Sequence, residues 1–235
     1  MAKVGFKSKL IAVIFIVLMV GCNSGQSFDE RAVQSYYKGL EYAIQGKFNE
    51  SKDEFSEALN IEPAFGVAKY SLELIEDAIG QKIKSKTAIH LFKGIDYRRQ
   101  GKWDEAIAEF NKAIEINPRY AKLYDNRGYV YFVMSDFDNT ISDSSKAIEI
   151  NPNYANAYAT RAGAYYFLLQ YDEAISDNTR AIELDPMDAT NYINRGNVYD
   201  DKGDTEKACS DWKRACELGN CSEWGTINKI LCFGT

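Results

Sequence analysis

The residues of this chain best suited to chemistry by type and spacing are four cysteines near its end. They are Cys209, Cys216, Cys221 and Cys232, in a C-x6-C-x4-C-x10-C arrangement. Cysteine thiolates bind zinc, exchange disulfides or form structural cross-links. Zinc sites usually combine two closely spaced C-x2-4-C pairs and thiol redox sites use C-x-x-C, whereas the chain has a single C-x4-C pair and no C-x-x-C. For an exported chain, two disulfides are the favoured interpretation, a reduced buried cluster the second and a metal site the third.

Nucleophilic and acid–base catalysis have few candidate residues in this sequence. Its one histidine is His90, so a Ser–His–Asp arrangement would have to use that residue, and no nucleophile motif accompanies it. Carboxylates are plentiful, but many stand where helices begin and interact favourably with the helix dipole. The sequence therefore predicts no catalytic residue, no cofactor and no enzymatic activity.

An apolar run near the start of the chain ends shortly before a further cysteine. Leu10 to Val20 is 11 residues long, which is roughly 16 Å as a helix, whereas a bilayer core is about 30 Å thick. The run is therefore too short to span a membrane. Three lysines and no acid precede it. A basic start, a short apolar core and small residues near a cut site are typical of a secretory signal peptide.

The phrase "MVGC" at the end of this run resembles the lipobox of bacterial lipoproteins, with Met19 where that family usually has leucine. The resemblance implies that residues 1–21 are removed and that Cys22 becomes the lipidated first residue, followed by a tether to residue 31. Since Asn23 replaces the aspartate that retains such proteins in the inner membrane, it implies the outer membrane. The alternative is an ordinary signal peptide with an incidental cysteine.

The charge of the chain argues against nucleic acid as a partner. The formal net charge is −6, and loss of residues 1–21, which hold three lysines and no acid, would make it −9. Nucleic-acid binding depends on clustered Lys and Arg that neutralise phosphates. About 200 residues would remain, which is enough for a substantial core.

Proline is rare and regularly placed. Each of the four prolines closes a similar phrase: EALNIEP, KAIEINP, KAIEINP and RAIELDP, at Pro63, Pro118, Pro152 and Pro186. The last two intervals are 34 residues, and the first is 55, which is 34 plus an insertion of 21. This period resembles the tetratricopeptide repeat (TPR), a helix–turn–helix unit. The resemblance implies units at 32–65, 87–120, 121–154, 155–188 and, without its proline, 189–222.

Small and aromatic residues recur in register with the prolines. Glycine or alanine stands in the first helix of every unit, tyrosine follows three residues later, and alanine stands late in the second helix. The three sets are Gly39, Gly94, Gly128, Ala162 and Gly196; Tyr42, Tyr97, Tyr131, Tyr165 and Tyr199; and Ala58, Ala113, Ala147, Ala181 and Ala215. The small residue would let the two antiparallel helices approach closely. Such helices are marginal alone, and stacking on their neighbours supplies the core.

Two features depart from the repeat. A position in the second helix that is aromatic in three units is polar in the middle two, which predicts looser packing there or repair by a neighbouring aromatic residue. Its residues are Phe55, Phe110, Ser144, Asn178 and Trp212. The insertion at 66–86 has Leu72, Ile75 and Ile79 at helical spacing. It is either an extra helix with a connector or a hinge between two lobes.

The repeat register places two of the C-terminal cysteines on the last unit's second helix. Cys209 and Cys216 are seven residues apart, so they would share a face at about 10 Å, too far apart for a disulfide. A capping helix at 223–235 would run back along them. The nested pairing of Cys216 with Cys221 and Cys209 with Cys232 fits best, and the crossed pairing stays open.

The TPR resemblance also implies where a partner would bind, because in that family the first helices line a concave groove that holds a partner's segment. The matching positions are Leu91, Ile95, Arg98, Arg99, Asn126, Tyr129, Phe132, Asn156, Tyr166, Phe167, Asn194 and Asn197, followed by Asp200 and Asp201. Tyrosine and phenylalanine could anchor a peptide, and asparagine could bond its backbone. The alternative is that the aromatic residues simply fill a narrow superhelix. The Lys/Asn/Arg set of chaperone-binding TPR domains is incomplete here.

These patterns predict an all-α protein, a right-handed TPR superhelix of about five repeats with an extra helix and a capping helix. The resemblances imply a non-catalytic scaffold or adaptor, lipid-anchored at Cys22 and facing the periplasm. Its partners would be other envelope proteins or their segments. A module that binds cell-wall glycan and a homotypic assembly factor are the competing functions.

Overall fold

A computed structural model describes residues 28–220 and Cys232, and residues 28–220 form eleven helices and no strand. The first pair is α1 (Glu30–Ile44) and α2 (Phe48–Ile61), and a single helix, α3 (Gly66–Ile79), follows it. Four further pairs complete the order: α4 (Ser85–Arg99) with α5 (Trp103–Ile116), α6 (Ala121–Val133) with α7 (Phe137–Ile150), α8 (Ala155–Phe167) with α9 (Tyr171–Leu184), and α10 (Ala189–Asp201) with α11 (Thr205–Glu217).

Local sequence signals account for the helix ends. The helices α2, α5, α7 and α9 each stop two residues before a proline, because the residue before proline is unfavourable in a helix. Gly101, just after α4, has a φ of 73°, the left-handed conformation that glycine adopts at little cost. At the start of α11 the Asp204 carboxylate accepts a hydrogen bond from the Lys207 backbone N–H at 3.2 Å, which satisfies one of the free donors of the first turn.

The two helices of a pair approach closely where the sequence predicts a small residue. A Cβ atom on Gly94 would lie 2.4 Å from the Phe110 ring, and one on Gly196 would lie 2.7 Å from the indole nitrogen of Trp212. Neither distance is tolerable between heavy atoms, so only glycine allows these rings to lie against the first helix. The repeated small residue therefore sets the spacing within the pair.

The middle pairs bury polar atoms at the position where these rings stand. Ser144 and Asn178 are 0% and 1% exposed. Within the described residues, the hydroxyl of Ser144 and the side-chain oxygen of Asn178 have no hydrogen-bond partner. An unsatisfied buried polar atom costs free energy, so these two pairs gain less from this position than the pairs that hold an aromatic ring there.

The first helices of successive pairs contact one another, whereas the second helices of successive pairs come less close. The stack therefore curves with its first helices inward, and we call the side formed by α1, α4, α6, α8 and α10 the inner face. This is the α-solenoid arrangement that the repeat predicts. The largest continuous core lies in its first half, from α1 to α6, and is rich in leucine, isoleucine and phenylalanine.

The insertion contains α3, which is bonded to elements before and after it. It packs along α2, and its Leu74 and Ile75 are fully buried. Asp77 of α3 accepts a hydrogen bond from the Tyr120 hydroxyl at 2.7 Å and one from the Lys122 ammonium at 3.2 Å. These contacts tie α3 to the start of α6.

Several sequence predictions lie outside the described residues. They concern the signal peptide at 1–21, the lipidated Cys22, Asn23, Cys221 and the capping helix at 223–235 apart from Cys232. Over the part of the chain that the structure describes, no helix combines the length and apolar character needed to cross a membrane.

Candidate binding surface on the inner helices

The structure divides the predicted groove residues into a buried and an accessible set. Leu91, Ile95, Asn126 and Phe132 are at most 7% exposed, so a partner could not reach them, and the prediction is wrong for these four. The accessible or half-buried residues are Arg98, Arg99, Tyr129, Asn156, Tyr166, Phe167, Asn194 and Asn197. The sequence pattern identified the inner helices but not which part of them is covered.

The helix α3 contributes to the burial of the first part of the groove. Leu91 and Ile95 of α4 belong to one core cluster with Leu74 and Ile75 of α3. The Asn126 amide of α6 donates a hydrogen bond to the Tyr70 hydroxyl of α3 at 2.7 Å. The chain therefore places its own helix against inner positions that a partner would otherwise occupy.

Polar bonds around Asn126 complete this contact. Its amide also donates to the backbone oxygen of Lys122 at 2.7 Å, and its side-chain oxygen accepts a bond from Arg98 at 3.2 Å. The Arg98 guanidinium lies over the Tyr129 ring, 5.0 Å from its centroid, within the range of a cation–π interaction. Both ends of the Asn126 side chain are thus used within the protein.

A buried carboxyl that the sequence analysis missed lies beside this contact. Asp125 is 7% exposed and accepts hydrogen bonds from the hydroxyls of Tyr154 at 2.8 Å and Thr160 at 3.2 Å. Burial raises the pKa of Asp125, and the two hydrogen bonds only partly oppose that effect. The sequence does contain a signal for this residue, because Asp125 is the one charged residue at its position in the repeat. The other units have Tyr36, Leu91, Ala159 and Ile193 there.

The inner face of the last two pairs has accessible amides. Asn156 of α8 is exposed and Asn194 of α10 is half-buried, and neither makes a hydrogen bond to another described residue. Asn197 accepts a bond from the Trp212 indole N–H at 3.0 Å. The Tyr166 hydroxyl donates to the Asp201 carboxylate. Burial, together with this hydrogen bond, raises the pKa of Tyr166.

Three phenylalanines join the ends of α6 and α8. The Phe132 ring lies 5.6 Å from Phe167, and Phe137 stacks on Phe167 at 5.2 Å with the two ring planes nearly parallel. Rings at these distances attract each other beyond their area burial. Phe132 therefore serves the packing between units, as the alternative to a peptide groove predicts for aromatic residues.

Three arginines, missed from the sequence, hold the outer part of the stack together. Each makes two hydrogen bonds to an aspartate of its own pair, in the pairs Arg127–Asp143, Arg161–Asp177 and Arg195–Asp211. The remaining end of Arg161 donates to Ser145 of the preceding pair at 2.9 Å, and the guanidinium lies between the rings of Tyr158 and Tyr165. The recurrence of Arg and Asp every 34 residues was the available signal.

The one histidine has a structural partner. His90 Nδ1 lies 2.7 Å from the Glu109 carboxylate, which also accepts a bond from Lys112 at 2.6 Å. Burial alone would raise the pKa of Glu109, but these hydrogen bonds hold it below its usual value. The three side chains form a hydrogen-bonded cluster between α4 and α5.

A disulfide closes the last described helix onto the end of the chain. Cys209 of α11 is bonded to Cys232, with Cα atoms 5.5 Å apart. Cys216 is also disulfide-bonded, and Cys221, its predicted partner, lies outside the described residues. Within the described ranges, no group of three or more His, Cys, Asp and Glu side chains is placed to hold a metal ion.

Comparison with known proteins identifies the family. A family model described as "TPR repeat" matches residues 94–134, and one described as "Tetratricopeptide repeat" matches 121–154 and 189–218. A solved structure titled "First TPR of Spaghetti (RPAP3) bound to HSP90 peptide SRMEEVD" is 30% identical, with a TM-score of 0.50, over 96% of its own length and 52% of this chain. The chain belongs to the tetratricopeptide repeat family. TPR proteins are generally non-catalytic scaffolds for contacts between proteins.

Other TPR structures share the fold over a longer stretch. A crystal structure of MamA is 22% identical with a TM-score of 0.54, and covers 77% of this chain and 94% of its own. A second MamA structure is 20% identical with a TM-score of 0.53, over 88% of this chain and 97% of its own. No curated protein matches the sequence.

Proposed function

We propose that this TPR protein is a non-catalytic adaptor that binds a segment of another protein on the inner face of α8 and α10. One observation carries the proposal: the inner residues Leu91, Ile95 and Asn126 of α4 and α6 are buried, whereas Asn156 and Asn194 stay accessible. The peptide bound to the RPAP3 repeat domain supports the binding of a peptide segment as the general mode. These observations favour a binding site in the second half of the stack.

The chemistry of this face suits an extended backbone. An asparagine amide can donate to a peptide carbonyl and accept from a peptide N–H, and Asn156 and Asn194 stand on neighbouring first helices. Asp200 and Asp201 at the end of α10 are exposed and would favour a basic residue at that end of the segment.

We also propose that the adaptor is lipid-anchored at Cys22 and faces the periplasm from the outer membrane. The support is the basic start, the short apolar run and the lipobox-like "MVGC" followed by Asn23. Two or more acyl chains hold a protein durably on a membrane, whereas a single chain is marginal. Labelled palmitate should enter the full chain and be lost in Cys22→Ala. Equal labelling of both proteins would refute the anchor.

Capture from envelope extract tests the binding face. The full chain should recover partner proteins, and the double variant Asn156→Ala, Asn194→Ala should lose them while keeping its melting temperature. Glu149→Ala changes an exposed residue at the end of α7 and is the matched control, which should recover the same proteins. Variants of Phe132 are unsuitable because that ring is buried and its loss would leave a cavity.

The same preparation separates the competing functions. Sedimentation with purified wall sacculi, without recovered proteins, would indicate a glycan-binding module. A mass that rises with concentration in light scattering would indicate homotypic assembly. Recovery unaffected by the double variant would refute the inner face of α8 and α10 as the site.

A further inference from the structure

Exposed apolar side chains are concentrated on two neighbouring turns that join the first and second helices of a pair. Met134 follows α6 and is 43% exposed, while Leu168 and Leu169 follow α8 and are 41% and 69% exposed. The stacking of Phe137 on Phe167 brings these two turns side by side. We call the three residues Met134, Leu168 and Leu169 the turn patch.

The same turns in the other units provide an internal comparison. The residues that correspond to Leu168 and Leu169 are Gln45 and Gly46, Gln100 and Gly101, and Lys202 and Gly203. A polar residue followed by glycine therefore forms this turn in three units of the same protein. The fold does not require leucine at either position.

Leu169 also has an unfavourable backbone conformation. Its φ is 61°, in the left-handed region where Gly46, Gly101 and Gly203 stand in their units. A residue with a Cβ atom is less stable there than glycine. Leu169 buries little of its side chain in return, since 69% of it is exposed. Neither packing nor turn geometry accounts for this residue.

Acidic side chains border the turn patch on one side. Asp136, Asp138, Asp172 and Glu173 stand at the starts of α7 and α9, and Asp200 and Asp201 stand at the end of α10. Lys202, which pairs with Asp172, is the one cation among residues 134–140, 166–175 and 199–204. Basic side chains occur on the opposite side, at Arg99 and Lys102 of the preceding turn. The patch thus has an acidic border toward the last pair.

We propose that the turn patch is a second docking surface, which binds an apolar peptide segment whose flank is basic. Exposed apolar patches mark interaction sites, and Leu168 and Leu169 would enter the apolar part of the segment. The acidic border would pair with its lysines or arginines and orient it toward α10. The apolar part of this surface lies on the turns and not on the inner face, although its acidic border shares Asp200 and Asp201 with the inner-face site of the proposed function.

Charge selects this occupant over two others. An anionic membrane surface would be repelled by the acidic border. A second copy of this chain, with its net charge of −6, would place like charges opposite one another at a symmetric contact. A basic, apolar segment meets both features of the surface at once.

The test uses the full chain and two synthetic probes. The first is a peptide that alternates paired leucines with paired lysines, and the second has every lysine replaced by glutamate. By fluorescence anisotropy the chain should bind the lysine peptide, more weakly as salt is added, and should not bind the glutamate peptide. The variant Leu168→Gln, Leu169→Gly rewrites the turn as Gln100–Gly101, and should bind the lysine peptide roughly tenfold more weakly or worse.

Two controls separate binding from folding. The turn variant should melt at the same temperature as the parent or higher, because glycine relieves the left-handed backbone. Met187→Gln removes an equally exposed apolar residue, 70% exposed, from the loop between α9 and α10, and should leave binding unchanged. The Asn156→Ala, Asn194→Ala variant should also bind the peptide normally, so failure of the inner-face site would not affect this result.

Several outcomes would overturn the proposal. Absent binding of the lysine peptide, equal binding by the turn variant, or equal binding of both peptides would each do so. Binding to anionic vesicles that the turn variant abolishes would assign the patch to a lipid surface instead. A dimer in light scattering that the turn variant dissociates would assign it to a second copy of the chain.

Discussion

Tyr70 of α3 and Asn126 of α6 share a hydrogen bond of 2.7 Å although they are 56 residues apart in sequence. The bond joins the insertion to an inner helix two pairs further along the stack. It also explains why Asn126 is 2% exposed at a position where TPR proteins often present side chains to a partner. An inserted helix has thus changed which part of the inner face is available.

Removal of the Tyr70 hydroxyl should weaken the docking of α3. We expect Tyr70→Phe to lower the free energy of unfolding by about 1–2 kcal/mol, because the buried Asn126 amide loses a partner. Urea denaturation measures the change. Tyr97→Phe is the control: its hydroxyl makes no hydrogen bond to a described residue, and its removal should have almost no effect. Equal losses in both variants would mean that the Tyr70 bond does not secure the helix.

The arginine–aspartate pairs should contribute more to stability than the surface ion pairs. Asp177→Ala should cost about 2–4 kcal/mol, because it leaves the half-buried Arg161 guanidinium without its carboxylate. The matched variant Asp172→Ala breaks a pair with Lys202 whose aspartate side chain is 82% exposed, and it should cost less than about 1 kcal/mol.

The relevant measurement is again the free energy of unfolding. Arg161→Met combined with Asp177→Leu should recover most of the loss, since an apolar pair leaves no buried charge unpaired. If Asp172→Ala and Asp177→Ala lowered the free energy of unfolding by the same small amount, the repeated arginines would have no special structural role.

Alanine substitutions of two buried serines on second helices should change the stability of the protein in opposite directions. Ser144→Ala removes a hydroxyl that has no partner among the described residues, so stability should stay constant or rise by up to about 1 kcal/mol. Ser51 donates a hydrogen bond of 2.8 Å to the Gly39 backbone oxygen, and Ser51→Ala should cost about 1 kcal/mol. Thermal melting distinguishes the two signs, and destabilisation by Ser144→Ala would show that its hydroxyl is satisfied.

Asp125 should make stability depend on pH. Because burial raises the pKa of this carboxyl in the folded state, the folded chain retains a proton that the unfolded chain loses above a pKa of about 4. Stability from this group is therefore full below that pH and falls as pH rises toward the folded pKa, by about 1.4 kcal/mol for each unit of difference.

Comparison with Asp125→Asn isolates this contribution. The amide has nearly the same shape and cannot ionise, so the stability of the variant should fall less than that of the parent between pH 4 and 8. Denaturation at a series of pH values measures the difference. A constant difference across that range would show that Asp125 has the same pKa in both states.

Local features of the fold could be predicted because they depend on neighbours in sequence. Prolines at a fixed distance ended the second helices, and glycine at position 101 allowed the left-handed turn. Gly94 and Phe110 belong to one unit, so their close contact follows from the repeat itself. The Arg161–Asp177 pair could also have been predicted from the sequence, since both residues recur every 34 residues.

The candidate site was predicted less well for a physical reason. The repeat gives the orientation of each first helix but not what lies against it, and an insertion has no place in the register. The positions of Leu91, Ile95 and Asn126 on the inner face were therefore read as accessible, although all three are buried and α3 belongs to the core that includes Leu91 and Ile95. The buried Asp125 depends in the same way on Tyr154 and Thr160 from later in the chain.

The sequence by itself determined the helices, their pairing and the family, because these depend on residues within one unit or on the period that relates the units. Only the tertiary structure decided which part of the inner face stays open and that Leu168 and Leu169 project from their turn. The first fact depends on contacts between parts of the chain that lie far apart, and the second on how little of the rest of the stack packs over Leu169.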